Sequence, residues 1–281
     1  MKYRIHSFTH TILILSCTAF VFFMLLLNIC HAQTQPPDKV AYMYSLTKDS
    51  LISDDFNSID WAKWTYREKM GADSSYINIE NDNLTYVSIA GKDNSKLGSG
   101  LCSINSATFG FYIAKWRTKG IYANKPTAWH PAIWGAAWNF GLEKRELDPM
   151  PNKWLEIDLM EVYHYPTWCI HTIAWQGDTL NITQRLKNET KLFTDPEWSV
   201  TGIEYTPHYV ALWEFTESKW YFRKSIPFTD DKTTTNQINV EHRQPCYWIL
   251  SNKYNYPKAS SDDTWLHVDY FYYYPYLTQY D

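Results

Sequence analysis

Trp154-Leu155-Glu156-Ile157-Asp158-Leu159-Met160-Glu161-Val162-Tyr163 decides both the fold and the site. Three acids alternate with large apolar residues, and an aromatic closes each end. Alternation with a period of two marks a strand with one face toward a core and the other toward water. On a helix, at ~100° per residue, Glu156 and Asp158 fall on nearly opposite sides and no common site forms. On a regular strand Glu156 and Asp158 share a face, but Glu161, five residues after Glu156, points the other way. One extra residue near Leu159 or Met160, a β-bulge, returns Glu161 to the first face. The spacing therefore predicts a bulged strand with Glu156, Asp158 and Glu161 on one side. Ile157 and one of Leu159 or Met160 are expected to face the core behind it.

Carboxylates this close repel one another and resist being desolvated together. Stability alone gives no reason to place them in an apolar run. Glycoside hydrolysis does, because it needs two carboxyl groups at a fixed separation, one protonated and one ionised. The same acids suit a hard cation, but no second oxygen-rich cluster lies nearby in sequence. No catalytic metal and no cofactor are expected, and a structural calcium is left open. The bland alternative is a strand edge with solvated acids that do nothing.

Outward from this stretch the chain is strand-rich. Short β-branched or aromatic runs bounded by Gly, Pro, Asn or Asp recur at 76–79, 84–89, 109–117, 132–138, 169–176, 180–184, 199–206, 209–215, 219–224, 246–251 and 265–273. No stretch shows sustained helical periodicity. The expectation is all-β, a sandwich of two antiparallel sheets in one domain over 51–281. The chain's 281 residues carry a net charge of −4, and no basic block suggests nucleic-acid binding. Its 14 Trp, 22 Tyr and 13 Phe exceed what most domains carry. Core packing explains most of them; rings lining a cleft would stack on sugar faces.

The first 32 residues read as a leader outside the fold. Lys2 and Arg4 precede an apolar run from Ile12 to Leu27, and Cys30-His31-Ala32 offers a cleavage site. Export to a secreted, periplasmic or cell-surface location follows. A membrane is a partner only if the leader stays uncleaved or Cys30 is lipidated. Residues 33–50, with Pro36 and Pro37, read as an extended linker. Cys102, Cys169 and Cys246 allow one disulfide at most, in any of three pairings. A monomer is expected.

The acidic strand resembles the Glu-x-Asp-x-x-Glu signature of glycoside hydrolase family 16, which includes laminarinases, agarases, porphyranases and κ-carrageenases. Further segments follow in the family's order. Asp55-Phe56-Asn57 with Lys63-Trp64 is similar to its opening segment. Phe109-Gly110-Phe111-Tyr112-Ile113-Ala114-Lys115, Pro131-Ala132-Ile133-Trp134, Ile203-Glu204-Tyr205-Thr206-Pro207 and Val268-Asp269-Tyr270-Phe271 resemble later strands. The resemblance implies a concanavalin A-like β-jelly roll with a substrate groove, and a retaining mechanism. It makes Glu156 the nucleophile, Glu161 the general acid/base and Asp158 the assisting carboxylate, with Trp134 lining the groove. The chain departs from the pattern at Ile113, where many members carry Glu, and at His130, where many carry Trp. After the catalytic strand, Ala174 stands where a His is common, with His171 as the alternative if the register differs.

The function expected is an exported, retaining endo-glycosidase acting on a β-galactan or β-1,3-glucan. A non-catalytic carbohydrate-binding jelly roll and a transglycosylase on the same site are the alternatives. Trp134, Trp154, Tyr163, Trp175, Trp248 and His130 are candidate substrate contacts. Arg117, Arg145 and Arg243 are candidate partners for a charged sugar.

Overall fold

The computed structural model describes residues 35–66, 77–82, 84–91, 99–119, 133–141, 155–162, 169–176, 183–190, 198–231, 237–243, 245–254 and 264–280. The chain divides into Met1–Gln35 and Pro36–Asp281. The leader, His130, Arg145, Trp154 and Tyr163 lie outside the described residues.

Strands numbered along the chain form two sheets. The first runs in the order β1 (Trp64–Tyr66), β4 (Ser99–Ser103), β14 (Cys246–Tyr254), β6 (Ile133–Gly141), β7 (Leu155–Val162), β8 (Cys169–Gln176) and β9 (Thr183–Thr190). The second runs β13 (Ile238–Asn239), β12 (Lys219–Thr229), β11 (Tyr209–Thr216), β10 (Ser199–Tyr205), β5 (Gly110–Lys119), β15 (Thr264–Pro275), β3 (Thr85–Gly91) and β2 (Ile77–Asn81). Neighbours pair antiparallel except β12 with β13.

One core lies between the sheets. Leu101, Leu155, Ile157, Trp248 and Leu250 of the first sheet meet Ile89, Tyr112, Ile203, Leu212 and Phe271 of the second. This is the all-β sandwich expected from the alternating runs. Trp248 belongs to this core, not to a sugar-binding surface. It is fully buried, with its ring 4.5 Å from that of Tyr112 and 4.3 Å from that of Phe271.

A second apolar cluster covers the other face of the second sheet, with Phe111, Ile113, Trp213, Tyr272 and Tyr274. Here the expected linker is corrected. Tyr44 is buried in this cluster, and its hydroxyl donates to Glu204 Oε1 at 2.9 Å. The backbone N–H of Ser45 donates to Pro275 O, and that of Asp49 to Tyr273 O, each at 2.8 Å. Pro36 and Pro37 suggested a free tether, but the apolar residues beyond them find an uncovered sheet face and bury there.

The Asp-Phe-Asn segment continues this attachment. Asp54 and Phe271 exchange two backbone hydrogen bonds of 2.8 Å, and Asp54 Oδ2 accepts from Trp64 Nε1 at 2.8 Å. Tyr272 donates its hydroxyl to Asp55. Phe56 sits at φ 46°, a conformation bulky residues avoid, and its fully buried ring packs 5.3 Å from Trp64. Cys102 is half-buried on β4, and Cys246 is buried in the core at the start of β14.

Candidate active site

Strand β7 lies between β6 and β8 near one end of the first sheet. Leu155 and Ile157 are fully buried in the core. Alternation puts positions 156 and 158 on the opposite face. The fate of Glu161 is read from β8. Asp158 pairs with Thr172 and Glu161 with Ile170, so β7 spends three steps where β8 spends two. The extra residue is a bulge at Leu159-Met160, where the sequence placed it. Cross-strand partners share a face, and Ala174, Thr172 and Ile170 alternate regularly along β8. Their partners Glu156, Asp158 and Glu161 therefore occupy one face. A second irregularity lies alongside. Ile133 pairs with Val162 and Trp138 with Asp158, which makes five steps on β6 against four on β7.

Continuing each pairing sideways gives rows across the sheet. The row through Asp158 runs Thr65, Cys102, Ile249, Trp138, Asp158, Thr172, Lys187. The row through Glu156 runs Tyr247, Phe140, Glu156, Ala174, Arg185. Beyond Glu161 lie Ile170 and Glu189. Trp134 pairs with Lys253, in the β14 alternation that carries Ile249 and Tyr247, so Trp134 shares the acid face.

The register removes other candidates from that face. Trp175 pairs with Leu155 and so holds a position on the core side. His171, between Thr172 and Ile170, also falls on the side away from the acids, and Ala174 is the residue opposite Glu156. Arg117 belongs to the second sheet. It pairs with Asp82 at 3.3 Å, and its Nε donates to His267 Nδ1 at 3.0 Å. Arg243 lies over the ring of Phe228, 5.2 Å from its centroid.

Strand β9 supplies residues that sequence reasoning passed over. The expected strand ended at Gln184, because 185–190 holds one apolar residue, Leu186, and offers no alternation to read. Pairing with β8 extends it to Thr190 and puts Arg185, Lys187 and Glu189 on the acid face.

Glu204, on the second sheet, is a buried carboxylate. Burial raises its pKa above the usual carboxylate value, against hydrogen bonds from Tyr209, Tyr44 and Trp213 that lower it. Those donors approach at 2.8, 2.9 and 2.9 Å. Glu204 is thus a structural carboxylate on a different sheet from the acid triplet.

No family model matches this chain, and no curated protein sequence does. Solved structures do. A κ-carrageenase from Pseudoalteromonas carrageenovora, in complex with a κ-carrageenan tetrasaccharide, superposes with a TM-score of 0.59 at 14% identity, over 83% of this chain and 96% of that one. Porphyranase B from Zobellia galactanivorans gives 0.54 at 11% identity, over 83% and 98%. A β-glucanase from Bacillus licheniformis gives 0.52 at 12% identity, over 79% and 96%. The chain shares their jelly-roll fold.

Proposed function

We propose that this protein is an exported, retaining endo-glycosidase of the family 16 type, which hydrolyses internal β-glycosidic bonds of a polysaccharide. The bulge in β7 carries the reading. It puts three carboxylates on one sheet face at a point where burial would gain nothing from them. Proteins of the same fold are named as a carrageenase, a porphyranase and a glucanase, which supports the same chemistry.

The spacing fits retention. Ala174 and Ile170, the partners of Glu156 and Glu161, are four residues apart along β8, a span of ~13 Å at strand rise. A Glu side chain has three C–C bonds of ~1.5 Å beyond Cα, a reach of about 4 Å. Two such side chains leaning toward each other would shorten this span toward the ~5 Å separation that a retaining mechanism uses. Without the bulge the span would be ~17 Å, with Glu161 on the wrong face.

In this mechanism Glu156 attacks the anomeric carbon while Glu161 protonates the departing glycosidic oxygen. The glycosyl-enzyme ester is then hydrolysed by water, from which Glu161 takes a proton. Asp158, between them, donates a hydrogen bond to the Glu156 carboxylate when it carries a proton, which holds the nucleophile ionised. Trp134 offers a ring on the same face for stacking against a sugar.

Reducing-end release from laminarin, mixed-linkage glucan, agarose, porphyran and κ-carrageenan tests the reading. The wild type is expected to cleave at least one polymer. Glu156→Gln and Glu161→Gln should each lower kcat by about a thousandfold or more, without lowering the melting temperature. Wild-type rates in either variant would remove that residue from the mechanism.

A further inference from the structure

We propose that Trp61 and Tyr66 form a distal sugar-binding ledge at the β1 edge of the first sheet, which grips the polysaccharide several sugars away from the bond that is cleaved. This rests on the acid triplet being a hydrolase site, but the two rings take no part in the hydrolytic chemistry.

Trp61 is 48% exposed, the one exposed tryptophan among the described residues. Its ring centroid lies 4.8 Å from that of Tyr66. Tyr66 is half-buried at the end of β1 and packs against the core. The indole therefore rests on a supported ring. Its backbone is held as well. The N–H groups of Lys63 and Trp64 donate to Asp60 O at 2.9 and 3.0 Å, and that of Ala62 donates to Asp60 Oδ1 at 2.9 Å. Lys63 Nζ donates to Ser53 O at 2.8 Å. Ile104, itself exposed, is tied to the same turn, its N–H donating to Lys63 O at 2.7 Å. An aromatic surface fixed in advance loses little freedom on binding.

β1 is the last strand of the first sheet, and the row that starts at Thr65 crosses β4, β14 and β6 to reach Asp158 on β7. Those strand spacings add up to ~19 Å, a length of several sugars. A polymer laid along the row, over the acids, leaves the sheet next to Tyr66 and Trp61. Flat rings there suit the C–H faces of pyranoses and call for no charge on the polymer. The competing account is that Trp61 only shields the edge of the core through Tyr66. Its removal would then cost stability and leave sugar binding as it was.

The probe is native electrophoresis of the full chain bearing Glu156→Gln, in gels containing laminarin, mixed-linkage glucan, agarose, porphyran or κ-carrageenan. At least one polymer should retard this parent. Adding Trp61→Ala should weaken the retardation about three- to tenfold, and Trp61→Phe, which keeps a ring, should restore most of it. The melting temperature should change little in either. Chain length gives a second readout, with Glu156 intact. Trp61→Ala should lower kcat/KM for the long polymer and leave it unchanged for the shortest oligosaccharide cleaved, which cannot reach the ledge. Retardation unaffected by Trp61→Ala overturns the proposal. So does a loss that Trp61→Phe fails to restore, a loss equal at every chain length, or a failure of every gel to retard the parent. Retardation that depends on Trp61, without hydrolysis of any polymer by the wild type, would keep this inference and remove the hydrolase reading. Hydrolysis that Glu156→Gln abolishes, with retardation indifferent to Trp61, would do the reverse.

Discussion

Replacing Tyr44 by Phe tests whether 36–50 belongs to the folded domain. The substitution removes one hydroxyl and leaves the buried ring in place. That hydroxyl donates to Glu204 Oε1 at 2.9 Å, beside Tyr209 at 2.8 Å, while Trp213 Nε1 donates to Oε2 at 2.9 Å. Burial, then the Glu204 carboxylate, push the Tyr44 phenol far above its ordinary pKa, so it stays a donor at any working pH. A hydrogen bond to a buried charged acceptor contributes ~1.5–3 kcal/mol, against ~0.5–1.5 kcal/mol when both partners are neutral.

The two figures translate into a pH dependence. Burial raises the folded pKa of Glu204 above its unfolded value. The folded state therefore holds the proton more tightly, and stability declines as pH rises from the unfolded toward the folded pKa. Tyr44→Phe removes an interaction that lowers this pKa, so it raises the pKa further and steepens the decline. Urea unfolding should show a loss of ~1.5–3 kcal/mol at pH 7.5, and a loss nearer ~1 kcal/mol at pH 4. In thermal melts the pH 7.5 loss corresponds to roughly 3–12 °C for a domain of this size. A loss under ~0.5 kcal/mol at pH 7.5, or a larger loss in acid, would refute the argument and return 36–50 to the status of a tether.

Two further substitutions probe packing that the sequence motifs conceal. Gly110→Ala would place a Cβ 2.1 Å from Tyr273 Cε2 and 2.7 Å from Tyr274 O. Overpacking against backbone should destabilise by ~1–3 kcal/mol or more, measured by urea denaturation; an unchanged midpoint would mean β5 and β15 are less closely packed than described. Trp248→Ala should cost ~3–5 kcal/mol in the same assay, the price of emptying a core site. If it instead weakened polymer binding at unchanged stability, Trp248 would be a sugar contact after all.

The sequence by itself determined the acid strand, its bulge and the core side of Ile157. These depend on neighbours within ten residues, and period-two alternation interrupted by one extra residue is visible in one dimension. It also determined the two-sheet sandwich, because most strands carry apolar residues dense enough to read. Three kinds of fact came only from tertiary structure. Trp248 and Trp134 look alike as aromatic residues in strand-like runs, and only the pairing of β14 with β6 separates core from acid face. Tyr44 follows two prolines and reads as tether until the uncovered face of the second sheet and the buried carboxylate of Glu204 give it a partner 160 residues away. Arg185 and Lys187 lie in a polar run with no periodicity of its own, and β8 alone sets their face. A strand's face is local information when one side is apolar. When both sides are polar, it is fixed only by the register of the neighbour to which the strand is hydrogen-bonded.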